Sequence, residues 1–510
     1  MRLWGVVSSS SAKLATDKVN HIKTFDEIPG PRRFPVVGTL YQYKLPGWLG
    51  GHEMSRYHIA LRDMHAKYGP LVREQRGDHA LIHVFDPDDV KAVFSVEGKS
   101  PTIPPLQEAT QFYRTKRELS LGLGNTNGDE WYRLRSAVHK MMLRPKEVSY
   151  YLPFVDKVAI DFMGRIEQEC SKKDDRIVEN LRELVGKWIL ESAGMICFEK
   201  RLGGFAENES LVEKMIAANK QIFIIAGELK LSLPLYKYFP TPRMKRFFDA
   251  EDFFYDHASK FIHETIQEIQ NLAKLGKLDA NRYNFLSYLL SRKELSEKDV
   301  AIITFSLFGD GLSTTTPTFL FNLYLLAKHP DVQERVFVEI ERNLGKQGGI
   351  VTVDVLNKLS LLKAVVKEAL RLYPNGTEVS RIIQTDLVLS NYMVPANTHV
   401  DLNQFVHFRS PQYFHDPDNF IPERWLRDEE VGESSKSVQN HPYLFIPFGH
   451  GTRMCAGRRF AEQDLHVGLT RMVQKYRLEL ADPSASQEME QVYETLLFPK
   501  HPVRIKFMPR

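Results

Sequence analysis

Phe448-Gly449-His450-Gly451-Thr452-Arg453-Met454-Cys455-Ala456-Gly457 sets one cysteine in a glycine-rich turn, two residues after an arginine and just before an amphipathic helical segment. Backbone N–H groups and the positive end of that helix would favour the thiolate of such a sulfur. A thiolate held in this way can serve as the axial ligand of a haem iron, where it pushes electron density onto the metal and favours O–O cleavage. The bland alternative for Cys455 is a small buried hydrophobe that only packs. Phe448, the two loop glycines, Arg453 and Gly457 argue against that alternative.

The segment resembles the haem-binding signature of the cytochrome P450 family, Phe-x-x-Gly-x-Arg-x-Cys-x-Gly, at every fixed position. The resemblance implies a mainly α P450 fold, with a large helical bulk, a small and mostly antiparallel β region, and haem b between a distal and a proximal helix. It implies that Cys455 is the axial iron ligand and that Arg453 pairs with a haem propionate. Gly451 and Gly457 would let the backbone pass close to the porphyrin, and Phe448 would shield the sulfur. The resemblance extends from about Ile28 to the C-terminus, with the family's other landmarks in order.

Length alone would permit several domains in 510 residues. No linker, repeat or low-complexity tract divides the chain, so one catalytic domain over residues 28–510 is expected. The formal net charge is only +4, and no nucleic-acid motif is present, which argues against a nucleic-acid partner. The three cysteines, Cys170, Cys197 and Cys455, are too few and too scattered for a disulfide framework or a zinc site. Residues 1–24 carry Arg2, Lys13, Lys18 and Lys23 against the single acid Asp17, with serines at 8 to 11. A basic, serine-rich and acid-poor leader has the composition of a mitochondrial transit peptide, here read as residues 1–27. No stretch there approaches the ~20 apolar residues of a membrane span.

Outward from the signature, the pattern predicts helices over 52–68, 129–143, 149–170, 181–198, 209–227, 243–275, 296–327 and 359–372. Strands are expected over 71–75, 80–85 and 382–389. Asp129 or Gly128 is the expected cap of the second helix. That helix holds Trp131 and Arg135 at i,i+4, on one face. They resemble the family's Trp-x-x-x-Arg pair that reaches the haem propionates, and Arg381 resembles a further propionate-binding cation. The segment 229–240, aliphatic and aromatic with interrupting lysines, reads either as a membrane-interface dip or as a loop over the active site.

Asp310-Gly311-Leu312-Ser313-Thr314-Thr315 resembles the distal-helix motif Ala/Gly-Gly-x-Asp/Glu-Thr-Thr/Ser, with departures. Thr314 falls on the threonine that assists oxygen activation, and Gly311 on the glycine of closest approach to the haem. The usual acidic position holds Ser313, and a carboxylate appears instead at Asp310, one turn before Thr314. Positions i and i+4 share a face, so Asp310 or Ser313, with water, is the expected proton relay. Pro317 cannot donate to the Ser313 carbonyl, and a kink is expected there.

Glu368 and Arg371 resemble the family's Glu-x-x-Arg, and Phe420-Ile421-Pro422-Glu423-Arg424-Trp425 its Pro-Glu-Arg segment. Glu368, Arg371 and Arg424 are thus expected to form a buried charge triad that locks the cysteine loop. Nothing after Gly457 resembles a flavin or nicotinamide domain. Gly457-Arg458-Arg459-Phe460 is similar to the mitochondrial branch of the family, most like its arthropod members. That resemblance implies electrons from an adrenodoxin-like ferredoxin with its NADPH-dependent reductase, docking on Arg458, Arg459, Lys363 and Lys367. The location implied is the matrix side of the inner mitochondrial membrane, with peripheral membrane contact.

The expected activity is monooxygenation of an apolar, steroid-like or xenobiotic substrate. Substrate contact is expected from residues 102–122, 222–235, the helix before Asp310, 375–380 and 496–499, with Glu378 meeting a polar substituent. Two other readings stay open at this point: a donor-independent haem-thiolate isomerase acting on peroxides, and a non-catalytic haem-binding sensor.

Overall fold

A computed structural model describes residues 22–45, 51–77, 79–279, 284–345, 348–426, 441–482 and 488–510. The leader expected over residues 1–27 lies outside the described residues up to position 21. The first part of the chain forms α1 (Tyr57–Tyr68), β1 (Leu71–Arg76), β2 (His79–Val84), α2 (Pro87–Ser95), α3 (Glu108–Lys116), α4 (Gly128–Leu143), α5 (Pro145–Ser149) and α6 (Leu152–Cys170). There follow α7 (Leu181–Cys197), α8 (Glu209–Lys230), α9 (Pro242–Lys274), α10 (Asn284–Leu290), α11 (Glu297–Lys328), α12 (Pro330–Leu344), α13 (Val353–Lys358) and α14 (Ser360–Leu372). The last part comprises β3 (Val379–Ile382), β4 (Leu387–Leu389), β5 (Tyr392–Val394), β6 (His399–Leu402), α15 (Arg458–Lys475), β7 (Tyr476–Leu480), β8 (Gln491–Glu494), β9 (Leu496–Pro499) and β10 (Ile505–Pro509).

Helices dominate, as expected. The largest sheet has the order β1-β2-β6-β3, antiparallel except for the parallel β2/β6 pair. Three antiparallel pairs, β7/β10, β4/β5 and β8/β9, complete the β region.

Three local readings change. Helix α4 starts at Gly128, and its N-cap is Asn127, not Gly128 or Asp129. The Asn127 side chain does not cap. Its Oδ1 accepts from Ile103 N at 3.0 Å and from Arg453 Nη2 at 2.7 Å. The strand expected over 382–389 is two short strands, and Arg381 lies inside the first, paired with Val400. Helix α8 runs on to Lys230, so the segment after it is shorter than expected.

The core is built where α6, α7, α11 and α15 meet. Trp188 on α7 stacks on Phe162 of α6 with ring centroids 5.2 Å apart and meets Phe319 of α11 at 4.6 Å. Helix α15 reaches this pair only because position 468 is glycine: a Cβ there would lie 2.3 Å from Trp188 Cη2. A buried ion pair, Arg471 to Asp156 at 2.7 and 2.6 Å, ties α15 to α6. Helix α11 is buried along most of its length, as a helix apolar on all sides must be. Its start is fixed by a capping box: Ser296 Oγ accepts from Asp299 N at 3.2 Å, and Asp299 Oδ2 accepts from Ser296 N at 3.0 Å.

Asp464 of α15 is fully enclosed and accepts from Ser192 Oγ of α7 at 2.6 Å. Burial pushes its carboxyl up to about 7, opposed by that single hydrogen bond. The folded chain therefore keeps a proton that the unfolded chain releases near pH ~3.9. Stability falls as pH rises between those two values and is lowest above them. Asp464→Asn is expected to stabilise the protein by on the order of 2–4 kcal/mol at about pH 8 and by far less at about pH 4. Chemical denaturation at both pH values checks this; an equal gain at both would contradict it.

Candidate active site

The cysteine loop is shaped by its own backbone. Gly449 and Gly451 both take φ of +72°, a left-handed conformation open to glycine at no steric cost. Cys455 N donates to Phe448 O at 2.8 Å and Met454 N to Gly451 O at 3.2 Å, which closes the loop. Gly457 is the N-cap of α15, with φ −82° and open space where a Cβ would stand. The backbone N–H groups of Gly457 and Arg458 reach the Cys455 sulfur and favour its thiolate, while burial outweighs them and pushes the thiol up. A metal at the sulfur would reverse that balance, since a coordinated thiol is deprotonated outright. The Arg458 guanidinium lies 5.5 Å from the Phe448 ring.

Cys455 has accessible surface, yet burial governs its ionisation. The same is true of Asp310 on α11, whose carboxyl burial pushes up to about 6 while Arg114 draws it down. The Asp310 charge also acts on the Cys455 sulfur. Asp310 of α11 is thus near enough to the cysteine loop for its charge to oppose the thiolate.

Three guanidinium groups gather beside that loop. Arg135 Nη2 donates to Met454 O at 2.8 Å. Arg453 donates to the carbonyls of Pro101 and Thr126 and to Asn127 Oδ1, and lies 4.1 Å from the buried Trp131 ring. Arg381 is ion-paired with Glu97 and donates to His450 O at 3.4 Å. Burial, then the charges of Arg381 and Arg135, bring Arg453 down to about 9, with Glu97 opposing. Among the described residues, Glu97 is the acid that pairs with this group, through Arg381. The donor set, a soft sulfur with buried cations short of carboxylates, fits a haem whose propionates would complete the pairing. His450 packs its ring on Phe94 and Tyr443, with centroids at 5.2 and 4.9 Å.

Side chains of the distal turn have partners that the sequence did not announce. Thr314 Oγ1 donates to Asp310 O at 2.9 Å. Ser313 is buried and its hydroxyl donates to Asn219 Oδ1 of α8 at 2.8 Å, so it is engaged away from Thr314. At Gly311 the close neighbour is Ile189 of α7, 2.9 Å from where a Cβ would stand; the missing side chain lets two helices approach. Pro317 does not end α11. Beside it, the Thr314 carbonyl accepts from Thr318 Oγ1 at 2.9 Å and from Asn375 Nδ2 at 2.7 Å. Asn375, which follows α14, thus pins the distal turn from outside the helix, a contact that no local spacing announces.

The structure brings Glu368, Arg371 and Arg424 together. The Glu368 carboxylate accepts from Arg371 Nε and Nη2 at 2.9 and 2.7 Å and from Arg424 Nε at 3.0 Å. Two further donors were not read from the sequence: Trp425 Nε1 at 2.8 Å and Ile421 N at 3.0 Å. Glu378 does not stand free for a polar substituent. It is ion-paired with Lys230 at the end of α8 and hydrogen-bonded to Thr377.

Lys367 on α14 is exposed, and Lys363 is half-buried with Nζ donating to Asn357 O. Both lie over α15, where burial and then their charges hold His466 down at about 3. Arg458 and Arg459 both pair with Glu462, at 2.8 and 3.4 Å.

A cysteine sulfur beside a cluster of arginines, with an acid and a threonine one turn apart on a long central helix, suits a haem-thiolate enzyme. The cytochrome P450 family model matches residues 28–507, and the chain belongs to that family. It is accordingly a haem b oxidoreductase of the monooxygenase class. "Probable cytochrome P450 CYP44" of Caenorhabditis elegans is 40% identical over 489 residues, covering 95% of this chain and 94% of the relative. "Probable cytochrome P450 49a1" of Drosophila melanogaster is 30% identical, covering 99% and 86%. "Sterol 26-hydroxylase, mitochondrial" of Rattus norvegicus is 30% identical, covering 96% and 90%.

Proposed function

We propose that this chain is a mitochondrial monooxygenase that hydroxylates an apolar, steroid-like or xenobiotic substrate with electrons from an adrenodoxin-like ferredoxin and its NADPH-dependent reductase. The observation that carries the reading is the gathering of Arg135, Arg381 and Arg453 at the loop of Cys455, with Thr314 bonded to the Asp310 carbonyl on α11. Cys455 would hold the haem iron, and Arg135, Arg381 and Arg453, with Trp131 stacked beneath, would hold its propionates. When bound, the haem supplies the oxidising chemistry, one oxygen atom entering a C–H bond and the other leaving as water. The chain's own part is proton supply. Asp310 holds a proton at a carboxyl oxygen up to about pH 6, and Thr314 Oγ1, one turn on, is the group to which it is passed. The Ser313 hydroxyl is occupied by Asn219, which favours Asp310 as the relay acid.

Residues 1–27 are the proposed import leader and 28–510 the catalytic domain. The relative from rat is mitochondrial by name. No helix among the described residues is long and apolar enough to cross a membrane. Leu235, Tyr238 and Phe239 are exposed together, Tyr238 at 82%. That patch suits peripheral contact with the inner membrane from the matrix side.

Lys363, Lys367, Arg458 and Arg459 are the proposed docking face for an acidic ferredoxin. Lys367→Glu is expected to raise KM for ferredoxin about tenfold at low salt, an effect that shrinks as salt is added. Reconstituted turnover with ferredoxin and a panel of steroid-like substrates, read by mass spectrometry, tests both points. Reduction by a diflavin reductase alone, or product formed with no donor at all, would remove the assignment.

A further inference from the structure

Three ionisable side chains lie near one another beside the apolar cluster of α3, α9 and α11. Arg114 of α3 is 8% exposed and Glu251 of α9 is 3% exposed; Asp310 is the third. Among the described residues, none of them is ion-paired. The side-chain hydrogen bond of Arg114 runs from Nη1 to Leu121 O at 2.8 Å, and its guanidinium lies 6.0 Å from the Phe305 ring. The other N–H groups of its five-donor fork have no hydrogen bond among the described residues. Glu251 Oε1 lies 3.1 Å from Thr110 Oγ1, but the same hydroxyl is 2.9 Å from Gln107 Oε1. The hydroxyl proton serves one acceptor at a time, and the second Glu251 oxygen has no hydrogen bond among the described residues. The Arg114 charge acts on Glu251 and on Asp310, and Asp310 acts on Glu251, so the three share one neighbourhood. Around them stand Ile302, Phe305, Phe254 and Phe308, all buried.

We propose that Arg114 and Glu251 form a polar subsite that takes an uncharged hydroxyl group at one end of an otherwise apolar substrate. The hydroxyl oxygen accepts from the Arg114 guanidinium, and its proton is donated to the Glu251 carboxyl. A purely apolar head would leave both groups buried and unpartnered, which is costly. A carboxylate head would set a further acid beside Glu251 and Asp310, against the charge of Arg114. A hydroxyl, both donor and acceptor, serves both partners. This deepens the monooxygenase reading and rests on it for the identity of the pocket, but the test requires neither ferredoxin nor turnover.

The test titrates the ferric holoenzyme with dodecan-1-ol, its methyl ether and dodecanoate, reading the haem spin-state change. Protein of each variant is first matched for its ferrous carbonyl spectrum. The alcohol is expected to bind about tenfold or more tighter than the ether. That preference is expected to vanish in Arg114→Met, which retains ether binding, and to weaken in Glu251→Leu. Equal affinity for alcohol and ether, tighter binding of dodecanoate, an equal loss for all probes in Arg114→Met, or no response to the alcohol would each overturn the proposal. Loss of the monooxygenase reading would appear separately, as intact binding without product.

Discussion

Glu368→Gln is expected to give a chain that folds its helices but retains less than ~10% of the wild-type haem, because the substitution strands two buried guanidinium groups. Glu368 and Arg371 are both completely buried, and Arg424 is nearly so. One carboxylate serves five donors from three segments, α14, Ile421 and the Arg424–Trp425 turn. A glutamine carries no charge and turns an N–H group toward donors. Breaking one partner of such a network costs about 3–5 kcal/mol, a large share of a typical total of about 5–15 kcal/mol. The damage is directed at the haem site by a chain of contacts. The Trp425 indole is held by Glu368 and lies 4.5 Å from the Phe445 ring. Phe445 stands three residues before Phe448, where the cysteine loop begins. Haem content per purified chain, with far-ultraviolet circular dichroism as the fold control, measures the effect. A full complement of haem would refute the account of the triad.

Asp310→Asn is expected to lower product formation about 100-fold while NADPH consumption continues, with the missing electrons recovered as hydrogen peroxide. The amide preserves size and removes the proton-holding group. The wild-type enzyme should show a matching pH dependence. Burial pushes the Asp310 carboxyl up to about 6, so the proton is present below that value and lost above it. The fraction of electrons recovered in product should therefore fall as pH rises through about 6 to 7 in the wild type and stay flat in the variant. Wild-type coupling in Asp310→Asn would remove this residue from the relay.

Much of the scaffold was legible because its signals are local. The helix expected over 296–327 is there, with a capping box of Ser296 and Asp299 at its start. Trp131 and Arg135 could be placed on one face from spacing alone. Glu368, Arg371 and Arg424 are far apart in sequence, and only the family resemblance joined them; their geometry then follows from a buried carboxylate's need for donors. The readings that changed have local causes too. Asn127 does not cap α4 because Arg453 and Ile103 hold its side chain. Ser313 occupies the usual acidic position but faces α8. Glu378 is claimed by Lys230 across 148 residues. Arg114, Glu251 and Asn375 carried no motif, and their meaning comes from distant elements packed against them.

The central claim is that the Cys455 sulfur binds haem iron as a thiolate. The most direct measurement is the carbon monoxide spectrum of the reduced, purified chain beside Cys455→His. The account predicts the strongly red-shifted Soret band of thiolate ligation in the wild type and its replacement by the imidazole-type band in the variant. A wild-type chain that shows the imidazole-type band, or that takes up no haem when supplied with it, would contradict the account.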